Sequence, residues 1–190
     1  MCAPWSITFA SSRDVNPLDL RLETPRLILR VPRDGDAEAL AAWLAEWEIA
    51  RWTANIPHPY GIENARSWIA DVRSSIEAAR ALTFVIERRN EAGAIGGVGV
   101  ALDGPGKEGD LGWWIAIPHQ GNGYAFEAAA RLVEFCWSME MTRLTAGALP
   151  DNAPSLAVAR KLGMRPNGKL LRSQPARDKP RETLEFVLTR

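Results

Sequence analysis

Between residues 111 and 149 the chain changes its hydrophobic period in a way that few folds accommodate. LGWWIAI (111–117) is an apolar run of strand length that ends on Pro118, a residue unable to donate to a sheet ladder. Gln120-Gly121-Asn122-Gly123 follows, and residues 124–140 then repeat apolar side chains at helical spacing. A second strand-like run, TRLTAGAL (142–149), closes the segment. Strand, helix and strand in that order become parallel neighbours through a right-handed crossover. Upstream the connections differ. LTFVIER (82–88), AIGGVGVAL (94–102) and 111–117 are joined only by NEAG and DGPGKEGD, polar glycine-bearing connectors of hairpin type, which predicts an antiparallel meander.

The flanks complete an α+β fold. RLILRV (26–31) alternates as a strand between Pro25 and Pro32. DGDAEALAAWLAEWE predicts one helix with Leu40, Trp43, Leu44 and Trp47 on its core face and Asp34 or Asp36 as N-cap. After the proline-broken loop RWTANIPHPYG, a second helix places Ala65, Trp68, Ile69, Val72 and Ile76 on one side. APSLAVARKL (153–162) is a helix closed by Gly163, and RETLEFVLTR is a last strand with a partner near 168–173. The expected order is β-α-α-β-β-β-α-β-α-β-β in a mixed, mostly antiparallel sheet. Residues 1–19 read as an extension and 20–190 as a single domain, since 190 residues suit one core.

Composition removes several function classes. Lys plus Arg and Asp plus Glu number 23 each, so no global charge calls for nucleic acid or an anionic membrane. The two cysteines, Cys2 and Cys136, do not make a disulfide framework, and His58 and His119 supply no metal-ligand spacing, so no metal is expected. The start MCAPWSITFASSRD lacks a basic segment followed by a long apolar core, and no run reaches membrane-span length. The expectation is a cytoplasmic protein without a membrane partner. The many tryptophans suit a pocket or a subunit interface equally, which leaves a homodimer open.

The 117–126 junction carries chemistry. Gly121 and Gly123 permit positive φ and close approach of a ligand to the backbone. The helix starting near Tyr124 exposes unpaired amides and the positive end of its dipole, and glycine turns of this kind form anion nests. The competing explanation is a turn that only starts a helix. Two other phosphate motifs fit poorly: a dinucleotide fingerprint needs glycine where Phe126 stands, and GPGKEG (104–109) lacks the P-loop hydroxyl.

Gln120-Gly121-Asn122-Gly123-Tyr124-Ala125 resembles the Gln/Arg-x-x-Gly-x-Gly/Ala signature of the GCN5-related N-acetyltransferases (GNAT). LETPRLILRVPRDGDAEAL, PHPYGIENARSWI, DLGWWIAIP and DNAPSLAVARKLGM match, in order, the branch that includes the ribosomal-protein N-terminal acetyltransferases. The resemblance spans about residues 20–190. It implies a GNAT fold, with helices on both faces of a sheet splayed between strands 111–117 and 142–149 and with acetyl-CoA in the opening. It further implies that the amides from Gly121 through Asn122, Gly123 and Tyr124 to Ala125 bind the pyrophosphate while Gln120 shapes the turn. The freed backbone of Trp114, Ile115, Ala116 and Ile117 would pair with the pantetheine arm. The implied activity is acetyl transfer to an amine-bearing acceptor.

By the same resemblance Asn152 contacts the pantetheine arm and Ser155 protonates the leaving thiolate; on spacing alone both are helix caps. Many relatives use a tyrosine further along this helix, and none occurs between 150 and 190. Asp110 stands where similar enzymes have an acid facing the acceptor, though it also reads as a hairpin-loop residue. His119, Glu87 and Glu185 are further base candidates without an assigned face. Trp113 and Trp114 point to opposite sheet faces. Trp113, with Trp52 and Tyr60 from the aromatic loop, is expected to wall the acceptor site, whereas Trp43, Trp47, Trp68 and Trp137 fit helix core faces and Cys136 an inert core thiol. Two alternatives stay open: a CoA-responsive module without turnover, motivated by the missing tyrosine, and a dinucleotide enzyme, disfavoured by Phe126.

Overall fold

The computed structural model describes residues 16–103, 107–177 and 179–190; residues 1–15 of the expected extension lie outside the described residues. Eight strands, β1 (Arg21–Glu23), β2 (Leu27–Arg30), β3 (Ala81–Arg88), β4 (Glu91–Asp103), β5 (Glu108–Ile115), β6 (Arg143–Ala148), β7 (Arg165–Arg172) and β8 (Arg181–Thr189), form one sheet. Their order is β1-β2-β3-β4-β5-β6-β8-β7, and among the described residues only the β5–β6 pair is parallel. Five helices accompany them: α1 (Ala37–Leu44), α2 (Trp47–Ala50), α3 (Ile62–Glu77), α4 (Tyr124–Ser138) and α5 (Ala153–Lys161). The meander, the α4 crossover and the mostly antiparallel sheet agree with the sequence expectation.

The two faces of the sheet follow from strand alternation. Leu82, Phe84 and Ile86 of β3 pack with Ala128, Ala129, Leu132 and Cys136 of α4, while Val85 faces the opposite way, toward Leu40 and Leu44 of α1 and Ala65 and Ile69 of α3. Phe84 and Leu132 are fully buried, each stabilising the fold by ~2 kcal/mol. Burial pushes the Cys136 thiol up to about 12, so it stays an uncharged packing group.

The sheet opens between its parallel strands. β5 and β6 are in register only at Glu108↔Arg143, Gly109↔Leu144 and Asp110↔Thr145. Past that point β4 holds β5 as far as Ile115 and β8 holds β6 as far as Ala148, so the two strands follow different partners and diverge.

Several expectations are corrected. The expected strand at 26–31 is β2, and an unexpected strand, β1, precedes it, because Thr24-Pro25-Arg26 turns the chain and Thr24 Oγ1 accepts the Leu27 amide at 2.8 Å. The first helix breaks after Leu44, and Trp47 opens the separate turn α2, 39% exposed against His58 rather than in the core. Asp36 occupies the N-cap of α1 but makes no cap bond, because its carboxylate is taken by Arg30. β5 begins at Glu108, which makes Asp110 a strand residue, and it ends at Ile115, so Ile117 lies in a 3-10 turn (Ile117–His119) rather than in a strand.

Candidate active site

The turn after β5 is built by its own side chains. Gln120 Nε2 donates to the Ile115 carbonyl at 2.9 Å, and Asn122 Nδ2 donates to the carbonyls of His119 (3.1 Å) and Gln120 (3.0 Å). Gly121 and Gly123 stand at φ 78° and 79°, the left-handed region where a side chain is strained. The first amide with an acceptor is that of Glu127, which donates to the Gly123 carbonyl at 3.1 Å. Among the described residues, the amides of Gly121, Asn122, Gly123, Tyr124, Ala125 and Phe126 meet no protein acceptor. They converge at the positive end of a 15-residue helix, beside the mouth of the sheet opening.

The open edge of β5 lies slightly upstream of where the sequence suggested. The Ala116 amide donates to Ile95 O at 2.8 Å, Ala116 O accepts from His119, and Ile117 O accepts from Gln120, so those groups are satisfied internally. The Ala116–Ile95 bond fixes the alternation of the β4–β5 ladder. It directs the N–H and C=O of Trp113 and the N–H of Ile115 away from β4, into the gap left by β6.

On the other arm of the opening, Asn152 caps α5, its Oδ1 accepting the Ser155 amide at 3.2 Å. Asn152 is buried, and the partly buried Ser155 lines a cavity of about 690 Å³. At the apex of the opening Asp110 is not free. Its carboxylate accepts Arg172 Nη1 at 2.7 Å and Nη2 at 3.1 Å, and it accepts the Thr145 hydroxyl at 3.0 Å. Asp110 in turn holds the Arg172 guanidinium above its ordinary pKa. Arg172 reaches from the edge strand β7 by crossing Gly147, where a Cβ would lie 3.1 Å from its Cζ. No sequence signal marks this pair, since nothing in a strand pattern reports a partner 62 residues away across two other strands.

The same cavity extends over the α3 face of the sheet. Its floor is Thr83, Gly97, Gly99 and Gly112, and its walls include Trp52, Tyr60, Trp68 and Trp114. The Trp114 indole nitrogen lies over Gly97, 2.5 Å from where a Cβ would fall. Trp113, expected to wall the acceptor site, stands opposite Val98, which itself faces Phe84, so its indole packs toward α4 and only its backbone meets the opening. Trp52 carries the Arg51 guanidinium 4.4 Å from its ring centroid. Tyr60 is a buried phenol whose hydroxyl has no partner among the described residues, and burial pushes its pKa up to about 12. Asp71 on α3, which the sequence did not single out, is the other carboxylate lining the cavity. Of the remaining base candidates, Glu87 is paired with Arg30 at 2.5 Å, Glu185 accepts from Asn167, and His119 packs edge-on against Trp43. None of the three lines the cavity. Among the described residues no group of His, Cys, Asp or Glu could hold a metal ion, and no helix is long and apolar enough to cross a membrane.

A mostly antiparallel sheet parted at one parallel pair, with a glycine turn and helix start at the mouth, defines the GNAT class of fold. Residues 26–165 match the family model described as Acetyltransferase (GNAT) domain. The chain is 32% identical over 151 residues to the uncharacterized N-acetyltransferase YoaA of Bacillus subtilis, covering 78% of this chain and 85% of that protein. RimJ of Mycobacterium smegmatis, solved in complex with CoA-disulfide, superposes with a TM-score of 0.79 at 24% identity, over 91% of this chain and 88% of its own. The microcin C7 self-immunity acetyltransferase MccE, solved with acetyl-CoA and AMP, gives 0.78 at 20% identity, over 88% and 94%. The chain belongs to the GNAT acetyltransferase family.

Proposed function

We propose that the protein transfers the acetyl group of acetyl-CoA directly to a primary amine, of a protein or peptide N-terminus or of a small molecule, within a ternary complex. The observation that carries this is the row of acceptor-free amides at Gly121–Phe126, beside a sheet edge whose Trp113 and Ile115 amides face the opening. The turn suits a pyrophosphate, and the strand edge suits the peptide-like pantetheine arm. The two MccE and RimJ structures, each with a CoA species bound, support the choice of cofactor. Residues 20–190 would form one catalytic domain, 1–19 its extension, and the cytoplasm its setting; the sheet draws strands from residues 21 to 189.

The chemistry then distributes over the cavity. The neutral amine attacks the thioester carbonyl carbon, and the oxyanion accepts from a β5 amide, with Trp113 and Ile115 the two that face the opening. The ammonium gives its proton to water before attack; collapse then breaks the C–S bond as the Ser155 hydroxyl protonates the thiolate, and the proton released by the acylated amine returns to Ser155 through water. Both oxygens of Asp110 are already occupied by Arg172. Its role in this scheme is to hold Arg172 at the apex and to present a polar wall to the acceptor, while Asp71 draws in the ammonium form. Trp52, Tyr60 and Trp114 wall the acceptor, in place of Trp113. On this scheme Ser155→Ala lowers kcat by ~100-fold and leaves the KM for acetyl-CoA within a factor of about 3. Steady-state kinetics with a thiol reagent reporting CoA release reads both.

The paired state of Asp110 and the lack of a tyrosine on α5 favour one other reading, a CoA-binding module without turnover. Calorimetry with CoA and acetyl-CoA, followed by CoA release over peptides, polyamines and aminoglycosides, separates them. No binding at millimolar cofactor would refute both. Binding with Ser155-dependent release on any amine establishes the transferase, and binding without release on every amine establishes the module.

A further inference from the structure

LETPRL, the segment that ends β1 and begins β2, resembles the family but has no part in the scheme above. In the fold it lands on the glycine turn. Arg26 Nη1 donates to the Asn122 carbonyl at 3.1 Å, its Nη2 lies 3.7 Å from where a Gly123 Cβ would be, and its Cζ sits 4.9 Å from the Tyr124 ring centroid. The same guanidinium holds Glu127 in the first turn of α4, with Nε donating to Oε2 at 2.6 Å and Nη2 2.5 Å from the same oxygen. Glu127 Oε1 accepts the Thr24 hydroxyl at 2.6 Å and the Arg26 amide at 3.1 Å. Burial pushes the Glu127 carboxyl up, but these bonds more than offset it and hold the carboxyl below its ordinary value.

That arrangement sets a problem for an anion site. A carboxylate in the first turn favours the helix, yet it places negative charge beside amides that are to receive a pyrophosphate. Arg26 resolves it, because the charges are layered: the Glu127 side chain is 15% exposed and that of Arg26 52%, so the cation is outermost. The cation is also preorganised. Its backbone carbonyl accepts the Arg89 amide at 3.0 Å, Arg89 Nε donates to Thr24 O at 2.7 Å, and Arg131 Nε donates to Glu23 O at 3.2 Å, so the β1–β2 turn is tied to β3 and α4 on both sides.

We infer that Arg26 is a positioning residue for the cofactor's diphosphate. It neutralises Glu127, fixes the Asn122 peptide and leaves the amide dipoles of the Gly121–Ala125 turn unopposed by a carboxylate, which makes the enzyme select pyrophosphate-bearing thioesters over bare pantetheine thioesters. This rests on acetyl-CoA being the cofactor.

Calorimetry with CoA, and kinetics with acetyl-CoA and with S-acetylpantetheine, test the inference on the full chain. Arg26→Met is expected to raise the Kd for CoA about tenfold and the KM for acetyl-CoA in step, with kcat and the kcat/KM for S-acetylpantetheine within about twofold of wild type. Glu127→Gln, which keeps an acceptor for Thr24 and the Arg26 amide, is expected to bind CoA at least as tightly as wild type. The double variant is expected to recover most of the affinity that Arg26→Met loses. Unchanged CoA affinity in Arg26→Met overturns the inference, and so does an equal loss toward S-acetylpantetheine or a double variant as weak as the single one. If Arg26→Met does not fold, Glu127→Gln decides alone, a loss beyond about fivefold counting against. Wild-type protein that binds no CoA overturns the cofactor itself, a result distinct from wild type binding CoA while the variants match it.

Discussion

Gly123→Trp is expected to weaken acetyl-CoA binding by at least about 100-fold, because hydrogen bonds to a charged group contribute ~1.5–3 kcal/mol each and the substitution removes more than one of them. Gly123 is the N-cap of α4 at φ 79°, and the direction in which its Cβ would grow leads to the Arg26 guanidinium 3.7 Å away. An indole there covers the amides of Tyr124 and Ala125 and displaces the cation. The backbone cost is separate, ~1–2 kcal/mol for a side chain in the left-handed region, so the melting temperature falls by only a few degrees. Gly121→Ala isolates that backbone cost: φ is 78°, but nothing lies within 4 Å of the added carbon. It should lower the melting temperature comparably and change cofactor affinity far less. Equal affinity in wild type and Gly123→Trp, measured by calorimetry, would remove the turn from the cofactor site.

The contrast between those glycines shows which parts of the site a sequence can carry. The turn was legible because every determinant is local: proline ending a strand, two glycines at the needed φ, and apolar side chains starting a helix within a few residues. The parallel β5–β6 pair was legible for a related reason, since a strand-helix-strand run forces the chain through a crossover, whereas the opening between the two strands came from the family resemblance. Long-range polar pairs left no such trace. Asp110 read equally well as a loop residue, and its bond to Arg172 depends on Gly147 being small enough for a guanidinium to cross β6. Trp47 kept helical spacing with Leu40 and Leu44, yet α1 stops at Leu44 and the indole turns outward to His58 and Arg177. Periodicity reports the face a residue would take if the helix continued, and nothing in Ala45-Glu46 announces that it does not.

Arg30→Met is expected to cost about 3–5 kcal/mol of stability, the range for removing one member of a buried ion pair, and to lower the melting temperature by ~10 °C for a domain of this size. Arg30 is 9% exposed and donates to Asp36 at 2.7 and 2.6 Å and to Glu87 at 2.5 Å, with a further bond to Val31 O at 3.2 Å. Its loss leaves two carboxylates without their cation, and methionine fills the volume without answering either. The pH dependence gives the prediction a second handle. Burial pushes the Asp36 carboxyl up, but the Arg30 guanidinium and the Arg33 amide more than offset it, so its pKa lies below the ordinary value. A folded-state pKa below the unfolded one stabilises the protein above the ordinary carboxylate range, and that stability is lost as pH falls through the folded value. In Arg30→Met the burial contribution is left largely unopposed and the sign reverses, so acidification neutralises the orphaned Asp36 and relieves the variant. Denaturant melts at pH 7 and near pH 4 should therefore show the gap between wild type and variant narrowing on the acid side. Arg30→Lys, whose point charge cannot bond both oxygens of Asp36 and reach Glu87 together, should fall between the two. A gap that stays constant with pH would mean that Arg30 acts through its packing rather than its charge.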